Sequence, residues 1–100
     1  MTKDGFQELW VHVDEQSMCA LINGDIGWLM YLEEPGDSGL SSRNPAYKGP
    51  ADGVIEYYLD NGQRDVYPAS WAYPIDQILR ALEYFRREER VPPFIEWHRD

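Results

Sequence analysis

The sequence predicts an α+β fold, an antiparallel β-sheet of about five to six strands with one main amphipathic helix packed on it. Three observations predict it. Leu9, Val11 and Val13 alternate with Trp10 and His12, the period-2 pattern of a half-buried strand. Asn23-Gly24 and Asn61-Gly62 each separate two apolar runs, and Asn-Gly favours the positive φ angles of tight hairpin turns. Ile75, Ile78, Leu79, Leu82 and Phe85 share one helical stripe.

In chain order, Phe6–Val13 is the first strand and Ser17–Ile22 the second. Asn23-Gly24 turns the chain into a third strand, Ile26–Leu32, whose run IGWLMYL is nearly continuous in apolar residues. Such a strand is expected to be covered on both faces. Glu33 to Gly53 has no periodicity and holds three Pro, four Gly and four Ser or Asn, so it reads as one long surface loop. Loops of that length in compact domains are commonly functional. Val54–Asp60 and Arg64–Tyr67 form a second hairpin, ended by Pro68.

The helix is expected over Pro74–Glu89. Pro74 suits the first turn, where its missing N–H loses nothing. Asp76 near the start and Arg86, Arg87 and Arg90 near the end suit the helix dipole. Asp76/Arg80 and Glu83/Arg87 have the i,i+4 spacing of surface ion pairs. Pro92-Pro93 stops the helix, and Phe94–Trp97 is a short last strand. Residues 1–100 make one domain.

The charge is uneven. The net charge is −9, and from Asp4 to Ser42 eight acidic residues occur without a Lys or Arg. They are Asp4, Glu8, Asp14, Glu15, Asp25, Glu33, Glu34 and Asp37, while the basic residues are Lys3, Arg43, Lys48 and a C-terminal group. Such a field repels nucleic acid and anionic membrane and steers basic partners inward. No segment is apolar enough to span a bilayer, and MTKDGFQELW lacks the basic and apolar regions of a signal peptide. With Cys19 as the single cysteine, a cytoplasmic protein is expected.

No catalytic or metal site is assembled in the sequence, and no cofactor is expected. His12 and His98 are far apart in sequence, and no second Cys is present to complete a zinc set. Cys19 with His12 has the residue types of a nucleophile and base, but nothing around Cys19 signals a stabilised thiolate. Glu33-Glu34 and Asp60 are the carboxylates an acid–base pair would need, in a chain too small for a sugar cleft. The glycines follow no phosphate-loop spacing, and no basic stripe marks a nucleic-acid site.

The aromatic content, 14%, exceeds what a small core needs at its centre. Trp28 and Trp97 are the first choices for the core. Tyr47, Tyr57 and Trp71 are expected as surface anchors, because Tyr and Trp dominate interface hot spots.

From Ala20 to Trp97 the chain resembles the immunity proteins that protect bacteria against polymorphic toxins with deaminase domains. The likeness is carried by an apolar hairpin with the turn Gly24-Asp25-Ile26-Gly27 and the strand Trp28–Leu32 after it. An irregular loop then leads to the aromatic strand Val54-Ile55-Glu56-Tyr57-Tyr58. A Pro-introduced amphipathic helix, Pro74–Glu89, and the ending Pro92-Pro93-Phe94-Ile95-Glu96-Trp97 complete it.

The resemblance implies inhibition by binding a cognate toxin domain and blocking its nucleic-acid or active-site cleft. The chain itself lacks the zinc-deaminase signature, His-x-Glu with Pro-Cys-x-x-Cys. Members of that family often carry a further strand and helix ahead of the first strand seen here. One sheet face is then expected to be open or covered by the partner. The expected contact surface is the Glu33–Asp52 loop, with Glu33, Glu34, Asp37 and Asp52 meeting basic residues and Tyr47, Tyr57 and Trp71 as anchors. A generic interaction or adaptor module without a toxin partner is the other reading these residues allow.

Overall fold

The computed structural model describes residues 5–100, so Lys3 and Asp4 lie outside the described residues. The chain has an α+β architecture. Its strands are β1 (Phe6–Val13), β2 (Gln16–Asn23), β3 (Ile26–Leu32), β4 (Leu40–Arg43), β5 (Val54–Tyr58), β6 (Arg64–Pro68), β7 (Tyr73–Pro74) and β8 (Glu96–Arg99). A short 3-10 turn, Ala69–Trp71, precedes β7, and the helix α1 spans Ile75–Glu88.

β1-β2-β3-β4-β8 form an antiparallel sheet in that order, and β7 pairs with β3 on the edge that β4 also uses. β4 lies against Met30 and Tyr31 and β7 against Ile26 and Gly27, so the two share β3 end to end. β5 and β6 make a separate hairpin.

Alternation decides what each face holds. Met18, Ala20 and Ile22 of β2 point to one side and pack with Leu29 against Ile78, Ala81, Leu82 and Phe85 of α1. Cys19 and Leu21 point to the other side and pack with Trp28 under Tyr57 of the β5–β6 hairpin. β2 is therefore buried on both faces, as β3 was expected to be, and the molecule has three layers: helix, sheet and hairpin. The second face is covered over part of its area by the chain's own hairpin. Trp28 is buried there, although its Nε1–H has no hydrogen-bond partner among the described residues. Trp97 is half-buried against the helix-side core.

Local chemistry moves several expected boundaries. Asn23 pairs with Ile26, so the tip of the β2–β3 turn is Gly24-Asp25 rather than Asn23-Gly24. Gly24 takes φ 63°, and glycine at the first tip position is the arrangement type II′ hairpins use. On α1, Leu79 is exposed instead of buried, because it falls on the flank of a stripe centred on Ile78, Leu82 and Phe85. Glu83 pairs with Arg86 rather than Arg87, and Arg80 lies over the Phe94 ring. The last strand starts at Glu96, two residues later than expected for its start at Phe94. Phe94 and Ile95 instead turn inward against the helix-side core. No helix among the described residues is long and apolar enough to cross a membrane.

Candidate partner-binding surface

The stretch expected to be one long loop contains a strand. β4 reads Leu-Ser-Ser-Arg and carries no apolar alternation, yet Ser41 and Ser42 are buried. Both are satisfied. The Leu29 N–H donates to Ser42 Oγ (3.1 Å), which donates onward to the Trp71 carbonyl (2.9 Å). Ser41 Oγ donates to Asp100 Oδ1 (3.0 Å) and accepts from Arg43 Nη1 (2.8 Å). Buried hydroxyls with partners are tolerated in a sheet, and sequence periodicity does not reveal them.

This strand divides the expected contact loop. Glu33, Glu34 and Asp37 lie beyond the Leu32 end of β3, whereas Tyr47 and Asp52 lie beyond the Arg43 end of β4. Because β3 and β4 are antiparallel, those are opposite ends of the sheet. Asp52 is exposed there. Tyr47 is half-buried and holds its own loop, donating from Oη to the Pro50 carbonyl (2.9 Å) and packing where any side chain at Gly49 or Gly53 would sit.

The first group gains neighbours instead. Ser17 pairs with Leu32, and Val13 pairs with Gln16, so the Asp14-Glu15 turn sits at the same sheet end as Glu33 and Glu34. Asp14, Glu15, Glu33 and Glu34 are exposed, and none is ion-paired to a basic side chain among the described residues. Asp37 organises the turn: its Oδ2 accepts from the Glu33 N–H (3.0 Å). That amide, with those of Gly39 and Ser38 and the nearby charge of Arg99, holds the Asp37 carboxyl below its ordinary value. Asp37 therefore stays ionised to lower pH than a free aspartate.

Two of the three expected aromatic anchors are placed differently. Tyr57, at 1% exposure, is an interior residue and corrects the expectation that it lies at the surface. It sits on the inner face of β5, and burial pushes its phenol well above the ordinary value. Trp71 is half-buried between the Tyr67 ring and the Arg43 guanidinium, whose carbon is 3.6 Å from the indole centroid.

The thiol–imidazole pairing fails on chemistry. Cys19 is buried, and burial, with the charges of Glu8 and Asp60, raises its pKa from 9.0 to about 12. His12 Nδ1 is engaged with Ser17 Oγ at 2.9 Å. A protonated thiol with an occupied imidazole is not an activated nucleophile.

Sequence reasoning missed Trp10. It is 42% exposed, its ring stacked 5.7 Å from that of His12 and its Nε1–H donating to Glu8 Oε2 (2.7 Å). The signal was present in β1: if Leu9, Val11 and Val13 face the helix, Trp10 and His12 must face the opposite side.

An acidic sheet end thus lies on the same face as an exposed tryptophan. Comparison with protein families gives the class a name. Residues 3–99 match the family described as immunity protein Imm1, and the chain belongs to that family. Membership implies a cognate toxin partner. A search of curated proteins found no match.

Proposed function

We propose that this chain neutralises its cognate toxin in the bacterial cytoplasm by binding the toxin domain and occluding the cleft that takes its substrate, and that the toxin is a nucleic-acid deaminase. Family membership implies a cognate toxin as the partner. The observation that carries the rest is the gathering of Asp14, Glu15, Glu33 and Glu34 at one sheet end without basic partners among the described residues. A domain that acts on nucleic acid holds its substrate with Lys and Arg. An unpaired acidic end complements such a groove and mimics the charge it receives. Asp37 supports this end by fixing the turn, and Trp71 and Asp52 extend the contact only if the partner reaches around β4.

Charge of this kind acts mainly on encounter, and packing sets the lifetime. Reversing Glu33, Glu34 and Asp37 to Lys is expected to slow association with the toxin domain by roughly tenfold or more at low salt, with a smaller effect at high salt. An unchanged association rate places the contact elsewhere on the molecule. The domain to test is a toxin domain found by reading the gene next to this chain's own.

A further inference from the structure

The sheet face opposite α1 is covered unevenly. Registered pairs place Trp10, Cys19, Met30, Ser41 and His98 in one row across it. Glu8 and Leu21, with Trp28, make the next row toward the Asn23 end, and there the hairpin packs down: Tyr57 sits on Leu21 and Trp28, and the Asp60 N–H donates to Glu8 Oε1 (2.9 Å). On the other side of the Trp10 row lie His12, Ser17 and Leu32, followed by the acidic turns. No described element covers that half. Trp10 stands 42% exposed, and Met30 and Leu32 are half-buried.

Three other places expose large apolar side chains among the described residues: Val54, Val66 and Leu79. Each of them has an ion pair close by. Val54 and Val66 flank the Arg64–Glu56 pair, and Leu79 shares the helix surface with the Arg86–Glu83 pair. Among the described residues Trp10 is the one aromatic side chain in this exposed set, and its face leads to carboxylates that have no basic partner. A central apolar anchor with a charged rim is the anatomy of a protein interface, and Trp is the residue most often found to dominate one.

We infer that this open half-face is where the toxin domain docks, with Trp10 as the anchor and the Asp14-Glu15 and Glu33-Glu34 turns as the rim that meets its Lys and Arg. The inference rests on the proposed function and sharpens it. The Trp10–His12 stack and the Trp10–Glu8 hydrogen bond hold the indole in place before binding, so little rotamer freedom is lost on contact. The occupant is an apolar side chain of the toxin flanked by basic residues, seated against Trp10, Met30 and Leu32. The acidic turns bring the partner in, and the indole keeps it.

The test measures binding of the toxin domain encoded beside this chain's gene, by surface plasmon resonance, to the wild type and to Trp10→Ala, Trp10→Lys and Leu79→Ala. Melting curves confirm that each variant is folded. The two Trp10 variants are expected to raise Kd by roughly tenfold or more, chiefly through faster dissociation, and Leu79→Ala to stay within about twofold. If both Trp10 variants bind like the wild type while the wild type binds tightly, the docking face is wrong and the immunity reading stands. If the folded wild type does not bind this domain at all, the proposed function falls, and the docking face with it. Sedimentation provides the remaining arm: a wild-type dimer that Trp10→Ala dissolves, with toxin binding unaffected, assigns the face to a second copy and overturns the inference.

Discussion

The guanidinium carbon of Arg43 lies 3.6 Å from the centroid of the Trp71 ring and closes a stack that continues through Tyr67 to Trp28. Trp28 belongs to the sheet, Tyr67 to the hairpin and Arg43 to β4, so one column of flat groups joins the layers. Arg43 also reaches Ser41 and Asp100, which ties that column to the end of β8. Arg43→Ala is expected to destabilise the protein by about 1–3 kcal/mol, measured by urea unfolding. Arg43→Lys should recover less than half of the loss, because an ammonium neither stacks as a plane nor forks between Ser41 and Asp100.

Tyr57 and Phe85 sit at the centres of the two opposite cores. Tyr57→Ala and Phe85→Ala should each remove about 3–5 kcal/mol and leave a single unfolding transition. A loss below about 1 kcal/mol for Tyr57→Ala would fit a surface tyrosine and contradict the buried position.

Gly39 adopts φ +89°, and a Cβ there would lie 2.7 Å from the Tyr31 carbonyl oxygen and 2.8 Å from Leu32 Cδ2. Gly62 adopts φ +90° with no atom near its missing Cβ. Gly62→Ala therefore carries only the backbone penalty, about 1–2 kcal/mol. Gly39→Ala adds a collision with a backbone atom that cannot step aside. It should cost clearly more, and thermal melting of the pair separates the two effects.

The buried Cys19 thiol predicts a pH dependence. In the unfolded chain it ionises near 9.0, while burial keeps it protonated in the fold up to about 12. Between those values the unfolded state binds fewer protons, so stability falls as pH rises through that window. Cys19→Ala should flatten part of the decline. Buried Tyr57 and half-buried Tyr67, whose phenols are also raised by burial, contribute in the same direction at their alkaline end. Native protein at pH 8 should leave a thiol reagent unreacted until denaturant is added.

Much of the fold is legible in the sequence wherever one face differs from the other. β1 and β3 run over the residues their patterns indicate, and the helix is displaced by one residue at each end. β4 was invisible because its pairing is rewarded by hydroxyl hydrogen bonds rather than by apolar burial. Without β4, Glu33, Glu34 and Asp37 fall in one loop with Tyr47 and Asp52, which the sheet holds apart. The acidic bias of the N-terminal half was plain, but its convergence with the Asp14-Glu15 turn depends on register, which only pairing fixes. Tyr57 looked like an anchor because nothing in its own strand states that the hairpin folds down over Leu21 and Trp28. Trp10 shows the reverse case: its side of the sheet follows from alternation, and its exposure depends on where the hairpin stops covering that face.

Neutralisation by occlusion is tested most directly by combining this protein with the toxin domain found beside its gene. Deamination of a nucleic-acid substrate is followed as the protein is titrated in. A one-to-one complex is expected, with activity falling to background at stoichiometric protein. A complex that leaves deamination intact, or no complex at micromolar concentrations, would contradict it.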